Sequence, residues 1–152
     1  MNEQVVSTDF WQARLPEDWV RADAEPGEVV HFEAPDHTAG IYISTWRIRD
    51  ESLQVAIQHA RAIELKHLPA PTTGFWQVVS STPIAAASEI DVRAEYLNRA
   101  DHYRIVSRTL GRDDQYVRVT FHDYGCTDMA LSAQRSEPIV ASFGLRQRST
   151  LS

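Results

Sequence analysis

Strict alternation of apolar and polar side chains over residues 89–97 constrains this chain more than any other feature. Ile90, Val92, Ala94 and Tyr96 alternate with Glu89, Asp91, Arg93 and Glu95. A period of two over that length marks a strand with one buried face. Two further runs, Tyr103–Leu110 and Gln115–His122, follow at once. In the second, Val117, Val119 and Phe121 alternate with Tyr116, Arg118, Thr120 and His122. The connections Asn98–His102 and Gly111–Asp114 have hairpin length and are rich in turn formers. Glu89–Leu97 and these two runs therefore predict an antiparallel meander, with the rest of the chain packed around it.

Upstream, Thr8–Leu15 reads as an edge strand stopped by Pro16. An acidic loop, Glu17–Gly27, follows and carries Trp19. Glu28–Ala34 and Ala39–Arg47 read as a hairpin about the turn at 35–38. Glu51–Leu68 predicts the main helix, with Asp50 as its N-cap. Leu53, Ala56, Ile57, Ala60 and Glu64 form one stripe, widened by Ile63 and Leu68. Pro69 and Pro71 end it, and Phe75–Pro83 is a further strand. After a break at Gly125–Thr127, Asp128–Arg135 reads as a helical turn. Ser136 is then expected to cap a short last helix, Glu137–Leu145, with Pro138 in its first turn, where a missing N–H costs nothing. Residues 1–7 and 146–152 are expected to fray. Three strands, a long helix, four strands and a short helix predict one α+β domain over residues 1–152. Its antiparallel sheet of six to seven strands is flanked by the two helices.

A chain of 152 residues buries roughly two-thirds of its unfolded surface in one core. Its net charge of −6 comes from residues 1–50, which carry ten acidic and four basic side chains. An acidic chain without a basic stripe, and with Lys66 as its one lysine, argues against nucleic acid as a partner. No run approaches the ~20 apolar residues of a membrane span. The first residues lack the basic and apolar regions of a secretory signal. The single cysteine, Cys126, rules out an internal disulfide and fits a reducing compartment, so the cytoplasm is expected.

The polar face of the meander is the first candidate site. In one register Glu89, Asp91, Arg93 and Glu95 face Arg104, Arg108, Arg118 and His122, either as a charged surface for a polar partner or as a solvated sheet face. Trp19 in the acidic loop is a candidate anchor for a partner protein. A peptide groove between sheet and helix, lined by aromatic side chains with Ile41 and Ile43, would be apolar and exposed. His122, Asp123 and Cys126, with His102 near, are the one cluster with hydrolase or metal potential. Zinc needs three or four ligands, usually as paired short spacings, and the chain has neither CxxC nor HxxxH. There is no GxSxG elbow and no phosphate-cradling loop. No catalytic residue, metal or cofactor is therefore assigned.

The segments RLPEDW, VVHFEAPD, AGIYIST, ESLQVAIQHA and EPIVASF, taken in that order, resemble the Mog1/PsbP-like superfamily, including its small bacterial proteins of the DUF1795 type. The resemblance covers most of the chain and carries no ligand signature, so no family site residues transfer. It implies an α/β/α sandwich around an antiparallel sheet, and a binding or adaptor role without catalysis. Members include a Ran-binding nuclear transport factor, lumenal photosystem subunits and chaperones of type VI secretion effectors. A protein partner is therefore expected, most sharply an apolar effector helix. The alternatives are a small hydrolase using His122, Asp123 and Cys126, and a homodimer joined through the Thr8–Leu15 edge.

Overall fold

The computed structural model describes residues 2–22 and 29–147. Among the described residues, five strands come first: β1 (Glu3–Ser7), β2 (Trp11–Pro16), β3 (Val20–Arg21), β4 (Val29–Glu33) and β5 (Ala39–Arg47). Helix α1 (Leu53–Lys66) precedes β6 (Gln77–Ser81), β7 (Glu89–Asn98), β8 (Tyr103–Arg112) and β9 (Gln115–Asp123). Helix α2 (Met129–Ala141) and a two-residue strand, β10 (Gly144–Leu145), complete the described chain. The main antiparallel sheet has seven described strands in the order β3-β4-β5-β9-β8-β7-β6, and a second sheet has the order β1-β2-β10.

The meander forms as its alternation predicts, each strand running one or two residues further than expected. Asp113 at φ 59° and His102 at φ 52° make its tight turns, a left-handed conformation that aspartate tolerates better than most residues. Two of the expected termini differ. Residues 3–7 form β1 rather than fraying, because Val5 and Val6 sit in a ladder against Arg14 and Ala13. Arg146 is held by Phe10 O at 2.9 Å from its backbone N–H and by Thr8 O at 2.9 Å from its guanidinium. The end of the chain from residue 148, and the loop part at 23–28, lie outside the described residues. Strand β2 lies between β1 and the two-residue β10, which pairs with Trp11 and Gln12, so Thr8–Leu15 is not a wholly free edge.

Helix α1 starts at Ser52, whose hydroxyl accepts from Val55 N, rather than at Asp50, which sits outside the helix at φ 61°. Its buried residues are Leu53, Ala56, Ile57 and Ala60, while Ile63 is 56% exposed and does not widen the stripe. The helix lies directly on Gly111, where an added Cβ would come within 2.7 Å of Leu53 Cδ1 and 3.0 Å of Ile57 Cδ1. Helix α2 runs unbroken through the expected boundary at Ser136. Asp128 is its cap, accepting from Ala130 N and Leu131 N. Ser136 and Pro138 are interior positions, and the last helix is as long as the first to within one residue.

The two helices cover opposite faces. On one, α2 and the second sheet bury Trp11, Leu15, Ile41, Ile43, Phe121 and Val140 in the main core. On the other, α1 packs on Ile90, Val92 and Tyr116. Ile41 and Ile43 are thus 0% and 1% exposed, and no open groove is lined by them.

Candidate functional site

Register decides where the expected site residues go. Across β7 and β8, Leu97 pairs with Arg104 and Arg93 with Arg108; across β8 and β9, Arg104 pairs with Asp123 and Thr109 with Arg118. Directly paired residues share a face, so Arg93, Arg104 and Arg108 look toward α2 while Arg118 and His122 look toward α1. The expected single surface of all five is split in two.

The α2-side arginines are not a free surface. Arg104 is 4% exposed. Its Nε and Nη2 donate to Glu95 Oε1 at 2.8 and 2.5 Å, and its Nη1 donates to Ser132 Oγ and Ser136 Oγ, each at 3.0 Å. Arg108 grips Asp91 with two parallel bonds of 3.0 and 2.9 Å and donates to the Val140 and Phe143 carbonyls at 2.9 and 2.7 Å. That grip holds the Asp91 carboxyl below its usual range. Arg93 reaches Glu137 at 2.7 Å. The alternating charges of β7 and β8 clamp a helix.

Trp19, expected as an exposed anchor, is 6% exposed. Its ring lies 6.1 Å from Phe121, and Arg135 sits over it at 5.8 Å. It still contributes to a groove. Strand β10 pairs only with Trp11 and Gln12, and Ser142 Oγ takes over at Arg14, accepting from its N–H at 3.0 Å and donating to its carbonyl at 2.9 Å. Residues of β2 and α2 line two hollows of about 620 and 600 Å³ that share Pro16, Pro138 and Ile139. Pro35 and Trp19 wall one end. The groove follows α2 from Gln134 to Ser142, about 12 Å at ~1.5 Å per residue. At the rim Asp36 is paired with Arg135 at 3.2 Å, and hydrogen bonds from Thr38, chiefly its hydroxyl, bring the Asp36 carboxyl down to about 2. Asp18, Glu3 and Arg14 complete the rim.

On the α1 face a smaller cavity of about 150 Å³ lies under the end of α1, between Ile63, Glu64, Leu68 and the sheet residues Ile105, Arg118 and His122. The Glu64 side chain is 8% exposed and stands 3.7 Å from Arg118 Nη1. Burial pushes its carboxyl up against the opposing pull of Ser107 and Arg118. Its Oε1 is buried with no hydrogen-bond partner among the described residues. His122 shares a hydrogen bond of 2.7 Å between Nδ1 and the Tyr103 hydroxyl, and one of 3.2 Å between Nε2 and Thr120 Oγ1. Burial, with a smaller contribution from His31, lowers the ring to about 4, so it is neutral near pH 7.

His122, Asp123 and Cys126 do not converge. Strand alternation sends His122 and the buried Asp123 to opposite faces, and Asp123 accepts from Gly125 N at 3.0 Å. Cys126 is buried, its Sγ 3.8 Å from Met129 Sδ, and burial raises the thiol. Among the described residues no imidazole is hydrogen-bonded to this thiol, the pairing that a Cys–His nucleophile uses. Among the described residues no three His, Cys, Asp or Glu side chains gather to hold a metal ion, and no helix is long and apolar enough to cross a membrane.

No family model and no curated protein matches the sequence. Solved structures do match the fold. The solution structure of PsbP from the cyanobacterium Synechocystis sp. PCC 6803 aligns with a TM-score of 0.67 at 12% identity, covering 95% of this chain and 92% of that one. The Ran-binding protein Mog1p of Saccharomyces cerevisiae aligns at 0.56 and 13% identity, covering 95% of this chain and 96% of that one. The fold is Mog1/PsbP-like, as the sequence resemblance implies.

Proposed function

We propose that the protein is a non-enzymatic binding module that holds an apolar segment of another protein in the groove between α2 and β2. The observation that carries this reading is the groove itself, walled by Pro16, Trp19, Pro35, Pro138 and Ile139. Its length matches about two turns of a bound helix, enough for anchors three or four residues apart. Proline walls need no rearrangement to receive a ligand, which lowers the ordering cost of binding. Asp18 and Glu3 at the rim favour a basic residue beside the apolar anchors. Mog1p, a Ran-binding protein of the same fold, supports a protein partner. The sharper form is a cytoplasmic chaperone that shields an apolar helix of a type VI secretion effector until export.

Photocrosslinking in cells tests the reading. A crosslinker at position 138 is expected to give one discrete protein adduct, absent when the crosslinker stands at position 131 on the same helix. Adducts of equal yield from both positions, or none from 138, count against it.

A further inference from the structure

The cavity under the end of α1 lies on the opposite face of the sheet from the groove and is independent of the binding reading. Its origin is a single misfit in the helix stripe. Leu53, Ala56, Ile57 and Ala60 are apolar, and the next position on that side is Glu64. Its carboxylate is more than nine-tenths buried, yet Oε1 has no hydrogen-bond partner among the described residues. A buried acceptor left unpaired costs the full loss of its water, and although Ser107 is near enough to lower the carboxyl, no described residue donates a hydrogen bond to this oxygen. Glu64 lines the cavity, which has room for such a donor.

The surrounding groups define what would fit. Arg118 is fixed by its stack on Trp46, 5.0 Å from the ring, and by the Ala60 carbonyl at 3.4 Å. It offers only donors. Its Nη1 is 3.7 Å from Glu64, too long for a hydrogen bond. A group bridging the two must therefore donate to Glu64 and accept from Arg118. The two charges offset each other, and the His122 ring, locked between Tyr103 and Thr120, adds a neutral wall. Glu64 and Arg118 together leave a charged ligand no net counter-charge. Ile63, His67, Leu68, Pro69, Ile105 and Thr120 line the remainder, with His67 Nδ1 turned to the Ile63 carbonyl at 3.0 Å. The volume equals about five waters at ~30 Å³ each.

We propose that this cavity binds a small uncharged molecule with an N–H donor beside a carbonyl acceptor, a carboxamide on a short apolar stem. The amide N–H meets Glu64, the carbonyl meets Arg118, and the stem lies against Ile105 and Leu68.

Titration of isotope-labelled protein by NMR tests this, with isobutyramide as the probe and isobutyrate and isobutylamine as matched charged controls. Isobutyramide is expected to shift the backbone resonances of Glu64, Leu68, Ile105 and Thr120 saturably, with the charged probes at least about tenfold weaker, the effect of one buried hydrogen bond. Glu64→Leu is expected to abolish the saturable shifts. If that variant does not fold, Glu64→Gln is read instead and is expected to weaken binding by a similar factor. A cavity that holds only water gives no saturable shift and overturns the proposal. So does equal binding of the charged probes, or binding unaffected by the Glu64 substitutions.

Discussion

Arg108 on β8 donates to the carbonyl of Val140 at 2.9 Å, so a sheet side chain closes the last turn of a helix 32 residues further on. The last carbonyls of a helix have no partner within it, and a cation there also meets the negative end of the helix dipole. Helix α2 has no basic residue in its own last turn. Arg108 supplies one from below, while Asp91 holds the other side of the same guanidinium. With Arg104 on Ser132 and Ser136, the clamp fixes α2 and hence one wall of the groove.

Arg104→Ala is therefore expected to destabilise the protein by about 3 kcal/mol, because it removes a buried ion pair and leaves two serines without their donor. Arg99→Ala, at an exposed turn residue, is expected to stay within about 0.5 kcal/mol. Urea unfolding of both variants checks this. Equal small losses would return the polar face of the meander to a solvated role.

The contact at Gly111 gives a second expectation. A methyl group there meets Leu53 Cδ1 at 2.7 Å, so Gly111→Ala is expected to cost about 1–3 kcal/mol by overpacking. Leu53→Ala in the same chain is expected to recover part of that loss. The coupling in a double-mutant cycle reads it directly.

The sheet was readable because burial on one face writes a period of two into β7 and β9. The split of the arginines was not. Arg104 and Arg118 are both even-numbered, but the four-residue turn 99–102 and the two-residue turn at Asp113 set pairings such as Arg104 with Asp123. A shift of one residue in either turn would have reversed the faces. The start of α2 was obscured because Asp128 and Ser136 are both good caps and Pro138 mimics a first turn. Strand β1 is only five residues long, and its alternation is too short to stand out. Glu64 was visible as the one acid in an apolar stripe, a signal that only its burial turns into a site.

Stability is expected to depend on His122. Its ring ionises near 4 in the folded protein against 6.5 in the unfolded chain. The unfolded state binds the extra proton, so stability is intact above pH 6.5, falls as pH drops toward 4 and levels off below. The shift corresponds to a few kcal/mol on the order of ~1.4 per unit. Glu64, raised by burial, acts with the opposite sign, losing stability as pH rises from 4.5 through its folded value. The difference between wild type and His122→Gln isolates the histidine. It is expected to shrink steadily from pH 7 to 4.5 in urea titrations, and a constant difference would contradict the burial of the ring.

Cys126 is expected to be inert in the folded state, since its thiol is buried and raised. An aromatic disulfide reagent should react only at the rate of unfolding, and fully in denaturant. Rapid stoichiometric reaction of the native protein would reopen the hydrolase reading.

The central claim is that the groove beside α2 holds another protein. Its most direct test is quantitative co-purification from the native host with three baits: wild type, the doubly substituted Pro35→Asp/Pro138→Asp, and Leu131→Asp on an exposed part of α2 outside the groove. The account predicts one stoichiometric partner carrying an apolar segment, retained by wild type and Leu131→Asp and lost from the groove variant. A partner retained equally by all three baits, or no partner for the folded wild-type protein, would contradict it.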